Sequence, residues 1–566
     1  MGTVKCCLAI ILSLYTFNAL AQDIEAIAKA PLLTTNGGIS VSQIATHAQD
    51  NPNVNPYSLF LGGNLNFNVL GVVNVPLSFA YTNQQLSKSV SLPFNRFSIS
   101  PSYKWVKVHA GYTTMQFSPY SLAGHEVFGG GVELTPDNGF HISAIYGRLR
   151  KANSDIDPSY KRMGGGLSVE YKKEKFDVGV NLFKAQDMQS SNPFPNPDSI
   201  PINPQDNLTG SIKANVDIIE NLRFGAEYGI SAINRKITTG DDNFKLLHTD
   251  GDLAVYHAQK ALLSYTFNVS SIGATYERVA PNYTTLGAYY MTNDYENITA
   301  NFSTAIKKIN IALDGGYQRN NLDKQKSNTT SRIICSANIS SNISEKLSLS
   351  ASLSNLQAYV YVNDIYSQVT QTNEFQNLDT LNVTQLNYTT SLNASYLLES
   401  TKEKRQSTNV NFMYQKSAEA QQYSRFSGND IYNTSLSYQL SLIPIQFNAS
   451  ASVSNNYNRM PENMYMNTMT YNVSLQKNFF KALKSSLSTT YSDMYNQDGA
   501  LSNVLNTRLS GGYVLAKKHN FNLAVSMLHT GGIKEQTQYM ANLSYSYAFN
   551  VIVDRKDKKI GVKTDF

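Results

Sequence analysis

The residues that could do chemistry in this chain are few and dispersed. His125 and Glu126 are adjacent in a polar segment, and His109 and His141 fall on the polar side of alternating stretches. No Gly-x-Ser-x-Gly, no His-Glu-x-x-His and no glycine-rich phosphate loop occurs, so serine hydrolysis, zinc proteolysis and nucleotide chemistry lack their linear signatures. A His–Ser or His–Glu dyad assembled across strands would leave no such signature. The acidic pairs Asp155 with Asp157, Asp241 with Asp242, and Asp250 with Asp252 lack the ligand spacing and glycine of an EF-hand loop. Apart from Cys6 and Cys7 near the N-terminus, the single thiol is Cys335. One thiol makes neither an internal disulfide nor a cysteine-rich zinc site. The expectation is a protein that is not an enzyme and uses no metal and no cofactor.

What recurs instead is charge at alternate positions. Glu170, Lys172, Lys175 and Asp177 belong to one such stretch, Lys213, Asp217, Arg223 and Glu227 to the next, and Glu277 to a third. Each lies opposite an apolar set such as Leu167, Val169 and Tyr171, or Leu222, Phe224, Ala226 and Tyr228. A period of two is the signature of a strand with one apolar and one wet face. In the second half of the chain the wet face turns neutral, as at Asn393, Asn409, Asn411, Ser435, Gln439, Asn472, Ser474, Asn542, Ser544 and Ser546.

These strands come in pairs. Leu59 to Phe67 turns at Leu70-Gly71 into Val73 to Tyr81, and Val132-Leu134 turns at Pro136-Asp137-Asn138-Gly139 into Phe140 to Tyr146. The unit repeats to Val553, with longer polar segments between pairs. That gives about twelve hairpins and one final strand, Tyr539 to Val551. Parity adds a first strand near Ile39 to Ile44, for a total of about 26 within a range of 24–26. The expected fold is all-β: a transmembrane, antiparallel, up-and-down β-barrel with short periplasmic turns and long extracellular loops. The chain is 42% hydrophobic with a mean hydropathy of −0.30, as expected when every second residue of a strand meets water.

The ends fit this reading. Lys5, the apolar run from Cys6 to Phe17 and Ala19-Leu20-Ala21 form a secretory signal cleaved between Ala21 and Gln22, too short to span a bilayer. The expected organisation is residues 1–21 as signal peptide, 22–38 as a short periplasmic segment, 39–553 as barrel and 554–566 as a basic periplasmic tail. Tyr545, Tyr547 and Phe549 resemble the aromatic C-terminal targeting strand of outer-membrane proteins. The net charge of +6 is dispersed or terminal, which excludes a nucleic-acid patch.

Two segments stand apart from the polar loops. Phe117-Ser118-Pro119-Tyr120-Ser121-Leu122-Ala123-Gly124 and Pro281-Asn282-Tyr283-Thr284-Thr285-Leu286-Gly287-Ala288-Tyr289-Tyr290 are rich in aromatic and small residues. Such aromatics suit contact with sugar, protein or the lumen wall. Together with Ala19-Leu20-Ala21-Gln22-Asp23 and the Asn/Tyr/Ser-rich strands, they make the chain resemble outer-membrane β-barrel proteins of Bacteroidota. Asp198-Ser199-Ile200 and Asp379-Thr380-Leu381 are similar to the O-glycosylation sequon of that phylum.

A barrel of this size needs closing, since sixteen to eighteen strands already leave an aqueous channel. The segment ahead of the first strand is too short to be a plug domain, so closure falls to folded-in loops or to a partner. The expected function is a large outer-membrane channel, or the barrel subunit of a transport, secretion or assembly complex, gated in one of those two ways. The alternatives are a structural or adhesive surface barrel and a general diffusion porin. A porin would carry an inward constriction loop with opposed charges, and no linear segment announces one. The expected partners are outer-membrane lipid and lipoprotein or periplasmic proteins, the latter through the basic tail; the substrate is not legible.

Overall fold

The computed structural model describes residues 27, 30–48, 56–83, 95–154, 158–191, 202–238, 245–325, 331–355, 386–418, 428–480, 482–532 and 535–554. The signal segment with its cleavage site at Ala21 and Gln22, the basic tail beyond Asp554, Asp155, Asp157, Asp241, Asp242 and both glycosylation-like triplets lie outside these residues.

Alternation is obeyed throughout, and it builds one closed sheet. Twenty-seven strand segments run in chain order. β4 (Arg96–Ile99) and β5 (Ser102–Tyr103) both pair with β3 (Val73–Thr82) and with β6 (Val106–Gln116), so they are one barrel strand and the barrel has 26. The break falls at Ser100-Pro101, where proline brings no N–H to the ladder. Gly111 opposite it has φ 97, and a Cβ there would meet the Phe97 carbonyl.

β1 (Leu33–Ala48) pairs on one side with β2 (Tyr57–Val69) and on the other with β27 (Gln536–Val553), from Leu33↔Val553 to Ala48↔Gln538. That register closes the barrel and abolishes both sheet edges. β1 begins at Leu33 rather than Ile39, because Leu33 to Gly38 still find partners from Ala548 to Val553 and from Asn64 to Val69. Tyr545, Tyr547 and Phe549 lie on the lipid face of β27, where Tyr545 packs against Phe521 at 4.8 Å and Tyr547 against His519 at 4.7 Å between ring centres.

One face of nearly every strand carries exposed apolar side chains: Val180 at 52%, Ile212 at 56% and Leu509 at 59% are representative. A continuous belt of this kind around a closed barrel is the surface that meets lipid. Cys335 belongs to this face as an unpaired thiol, one of the alternating set Ile333, Cys335, Ala337 and Ile339. The opposite face is the lumen. One rim carries turns of a few residues, such as Glu220-Asn221, where Asn221 adopts φ 69, a left-handed conformation that Asn tolerates. The other rim carries the long loops.

Many strands are longer than the nine to eleven residues a tilted strand needs to span: β11 (Asp206–Ile219) has 14 and β27 has 18. Toward the loop rim of one sector, alternation gives way to apolar residues on both faces. Ile145 and Leu149 of β8 (Phe140–Arg150), Phe183 of β10 (Phe176–Asp187) and Ile233 of β12 (Leu222–Asn234) are inward and at least nine-tenths buried. Among the described residues the largest dry core is therefore inside the lumen, against one part of the wall.

Candidate functional site in the barrel lumen

The wall of that sector carries a row of charge set by register. From β9 (Arg162–Lys173) across β10, β11, β12 and β13 (Leu253–Phe267) to β14 (Ser270–Val279), Glu170 faces Gly179, Gly179 faces Lys213, Lys213 faces Glu227, Glu227 faces Lys260, and Lys260 faces Glu277. Lys213 Nζ donates to Glu170 Oε1 at 2.5 Å across the gap that Gly179 leaves. Toward the turn rim, Lys172 faces Asp177, Asn215 donates to Asp177 at 2.6 Å, and Arg223 reaches Asp177 at 2.7 Å and Asp217 at 3.7 Å.

Eight of the nine charges expected on the wet face thus converge on six adjacent strands. Lys175 stands apart, exposed in the turn between β9 and β10. Lys260 completes the row and was not legible in sequence. Its neighbours on the same face, Tyr256, Ala258 and Leu262, are apolar, so the inward face of β13 does not look wet until it is paired.

Over this wall lie the two aromatic-rich segments. Residues 117–122 join β6 to β7 (Ala123–Leu134), and residues 280–294 join β14 to β15 (Tyr295–Ile306). Both fold onto the lumen face and pack on each other. Tyr283 Oη donates to the Tyr120 carbonyl at 2.7 Å, Thr285 Oγ1 to the Ser121 carbonyl at 2.6 Å, and Ala123 N to the Gly287 carbonyl at 3.0 Å. The wall binds them in turn. Asn181 donates to the Phe117 carbonyl at 3.3 Å, Ser231 to the Thr284 carbonyl at 2.6 Å, and Asn207 Oδ1 accepts from Leu286 N at 2.9 Å.

The loops also cap the charge row. Ser118 Oγ donates to Glu227, and Tyr120 Oη donates to Glu277 at 2.8 Å. Small wall residues make the approach possible: a Cβ on Gly229 would stand 2.6 Å from that of Tyr120, and one on Gly166 would stand 2.8 Å from the Phe117 ring. Tyr120 is 1% exposed, and Leu122 and Tyr283 are fully buried. Burial raises the phenols of Tyr120 and Tyr283, with Glu277 adding to the first and Glu227 to the second. Tyr289, buried and near Glu126, is pushed up to about 12. All three remain neutral at physiological pH, so Tyr120 and Tyr283 keep the protons they donate.

His125 and Glu126 belong to the edge of this plug. The His125 ring stacks on Tyr289 at 4.0 Å, Glu126 N donates to the Tyr289 hydroxyl at 3.3 Å, and Arg96 pairs with Glu126 at 3.3 Å.

A cross-strand histidine array does form elsewhere in the lumen. Ser100 Oγ lies 3.0 Å from His109 Nδ1, and His109 Nε2 lies 2.6 Å from Glu133, which also meets Lys107 at 3.4 Å and His141 at 3.8 Å. Nucleophile, base and acid are thus in line, but an oxyanion hole is wanting. The residue after Ser100 is Pro101, which has no N–H, and the N–H of Ser100 is already given to the Pro76 carbonyl. The array reads as a satisfied polar cluster.

Of the acidic pairs within the described residues, Asp250 Oδ2 accepts from Thr238 N at 2.9 Å and Oγ1 at 2.7 Å, and Asp252 meets Arg235 at 3.9 Å. Among the described residues no group of three or more His, Cys, Asp or Glu side chains is arranged to hold a metal.

The rest of the lumen wall, from Ile309 round through Val553 to Thr82, is different. It is a lattice of neutral pairs. Asn393 and Asn409 exchange amide hydrogen bonds at 3.2 Å in both directions, Asn472 donates to Thr490 at 2.7 Å, and Ser42 donates to Asn542 at 3.1 Å. Ser352 with Ser391, Thr470 with Ser492 and Ser486 with Ser510 are further pairs at 2.6–2.9 Å.

No protein-family model and no curated protein matches this chain. Among solved structures, it is similar to the P pilus usher (PapC) translocation pore, at 11% identity over 91% of this chain and 99% of that one, with a TM-score of 0.37. It is similar to the FrpB iron transporter of Neisseria meningitidis at 11% identity over 91% and 82%, TM-score 0.38. Pseudomonas aeruginosa OpdK, crystallised with vanillate, gives 9% identity over 91% and 99%, TM-score 0.27. The architecture of this chain stands on its own closed register.

Proposed function

We propose that the protein is an outer-membrane channel whose lumen is narrowed by a fixed internal plug over one sector of the wall. The observation that carries this is the packing of residues 117–122 and 280–294 on each other and on the inner faces of β9 to β14. A closed, lipid-belted barrel with a polar lumen supports transport.

Magnitude decides what kind of closure the loops provide. Phe117, Tyr120, Leu122, Tyr283 and Leu286 are all at most 5% exposed. Re-exposing a large apolar side chain costs roughly 1.5–3 kcal/mol, so lifting five costs on the order of 10 kcal/mol before any hydrogen bond is counted. At about 1.4 kcal/mol per factor of ten, the lifted state is then near one molecule in ten million. These two loops are a constriction, and any gating belongs to other loops or to a partner. They also supply the inward-folded element, backed by opposed charges, that the linear sequence did not announce.

The test is single-channel recording of purified, folded protein in a planar bilayer. A steady current is expected, and a larger one when residues 282–288 are replaced by a short glycine linker. Silence from both folded proteins would overturn the channel reading in favour of a surface barrel that binds through its outer loops.

A further inference from the structure

We infer that the plug and internal ion pairing together mask the fixed charges of the lumen, so that the open path runs along the neutral wall and takes uncharged, hydroxyl-rich solutes of the oligosaccharide class. The inference deepens the channel reading and rests on it.

Two sectors of the lumen are unlike, and the paired cluster of Lys107, His109, Glu133 and His141 on β6 to β8 lies between them. Six strands from β9 to β14 carry eleven charged inward residues: the nine of the two rows described above, and Arg162 with Asp187, which pair at 2.8 Å toward the loop rim. The more central row is the one the plug engages: Ser118 takes Glu227, Tyr120 takes Glu277, and the Tyr120 side chain lies against Gly229. The row nearer the turn rim neutralises itself through Arg223, Asp177 and Asp217. Neither leaves a strong field of one sign in the path.

From Ile309 onward the inward positions are overwhelmingly Asn, Ser, Thr and Gln. Among the described residues Asp314, Arg405, Lys484 and Arg508 are the charged exceptions, and Asp314 accepts from Ser336 at 2.7 Å. Such a wall offers hydroxyl and amide groups that already pair with each other at 2.6–3.2 Å. A sugar hydroxyl, being both donor and acceptor, can replace either member of such a pair. A charged solute would lose hydration there and gain no counter-charge.

The test uses full-length protein in planar bilayers under a KCl gradient, with folding checked by heat-dependent mobility in detergent gels. The wild-type permeability ratio of K⁺ to Cl⁻ is expected within about twofold of unity, because no strong field of one sign lines the path. Glu227→Gln with Glu277→Gln should leave that ratio unchanged, since those carboxylates lie under the plug. Asn393→Asp with Asn409→Asp should raise it several-fold, and Ser474→Asp serves the same purpose if that pair fails to fold. Maltohexaose should interrupt the current for longer than an oligogalacturonate of equal length. A strongly selective wild-type channel, a ratio governed by Glu227 and Glu277, or longer block by the acidic sugar overturns this inference and leaves the channel standing. Silence from folded protein overturns the channel and this inference together.

Discussion

Tyr283 and Tyr120 are 163 residues apart in the chain, yet the hydroxyl of the first donates to the carbonyl of the second at 2.7 Å, with both side chains buried. This bond ties the β14–β15 loop to the β6–β7 loop, so each holds the other against the wall. Neither segment has a regular ladder of its own, and buried backbone groups without partners are costly. Their mutual bonds and those from Asn181, Asn207 and Ser231 supply what a ladder would have supplied.

Tyr283→Phe removes the donor and leaves a buried carbonyl unsatisfied, which costs about 1–3 kcal/mol. That loss should fall on the plug and spare the barrel. Amide hydrogen exchange should quicken roughly 5–150-fold for residues 117–122 and 281–290, with the β9–β14 ladder unaltered. Exchange rates that stay at wild-type values in the loops would mean the bond does not hold them.

Gly229→Ala distinguishes a packing effect from a strand effect. Replacing a strand-interior glycine by alanine ordinarily stabilises by roughly 0.5–1 kcal/mol. Here the new Cβ would meet the Cβ of Tyr120 at 2.6 Å, and its ring atoms from 3.0 Å. Neither backbone can yield easily, so Tyr120 should be displaced. The expected outcome is a larger single-channel conductance with an unchanged barrel melting temperature. A stabilised barrel at wild-type conductance would show that the loop is not seated on Gly229.

The barrel was legible because it needs only a period of two, a short-turn rhythm and parity, all local. The charged wall was legible as a face and not as a row, since alternation says which side Glu170 or Glu277 takes and nothing about which strands become neighbours. Lys260 was lost for that reason among Tyr256, Ala258 and Leu262. The two loops stand out for Phe117, Tyr120, Tyr283 and Tyr289, but composition cannot say that they meet. Only the closed register brings β6–β7 and β14–β15 to the same wall. Apolar residues on both faces near Ile145, Leu149, Phe183 and Ile233 are the available sign of an inner core, and alternation alone gives them no inward partner.

The pH dependence of the plug follows from its phenols. Tyr120, Tyr283 and Tyr289 all have folded-state values raised above the ordinary 10.0, the last to about 12. A raised phenol stabilises the packed state fully below pH 10, and that contribution is lost as pH climbs toward and through the folded value. Conductance should therefore be flat between about pH 7 and 9 as far as the loops control it, and should rise above about pH 10; buried His125 at the plug edge, held down to about 4, adds a second loosening only as pH falls below about 6.5. Tyr289→Phe should shift that onset upward. A plug that opens between pH 7 and 9 would place its control on other groups.

Closure makes the last prediction. β2 and β27 both run from the loop rim to the turn rim, and β1 runs the other way between them. Deleting residues 33–48 leaves 25 strands from 26, and the remaining edges could meet only in parallel. Parallel pairing is weaker per residue than antiparallel pairing. It would also have to place Tyr545 and Tyr547 on the same face as Leu59, Leu61 and Leu65, with inward Ser544 and Ser546 against Asn64 and Asn66. An unmet seam exposes two rows of N–H and C=O groups to hydrocarbon, where each costs several kcal/mol. The deletion should abolish the heat-resistant folded band in detergent gels, whereas removing the tail after Asp554 should leave it intact. A stable, folded 25-strand product would show that the β1–β27 seam is not what closes this barrel.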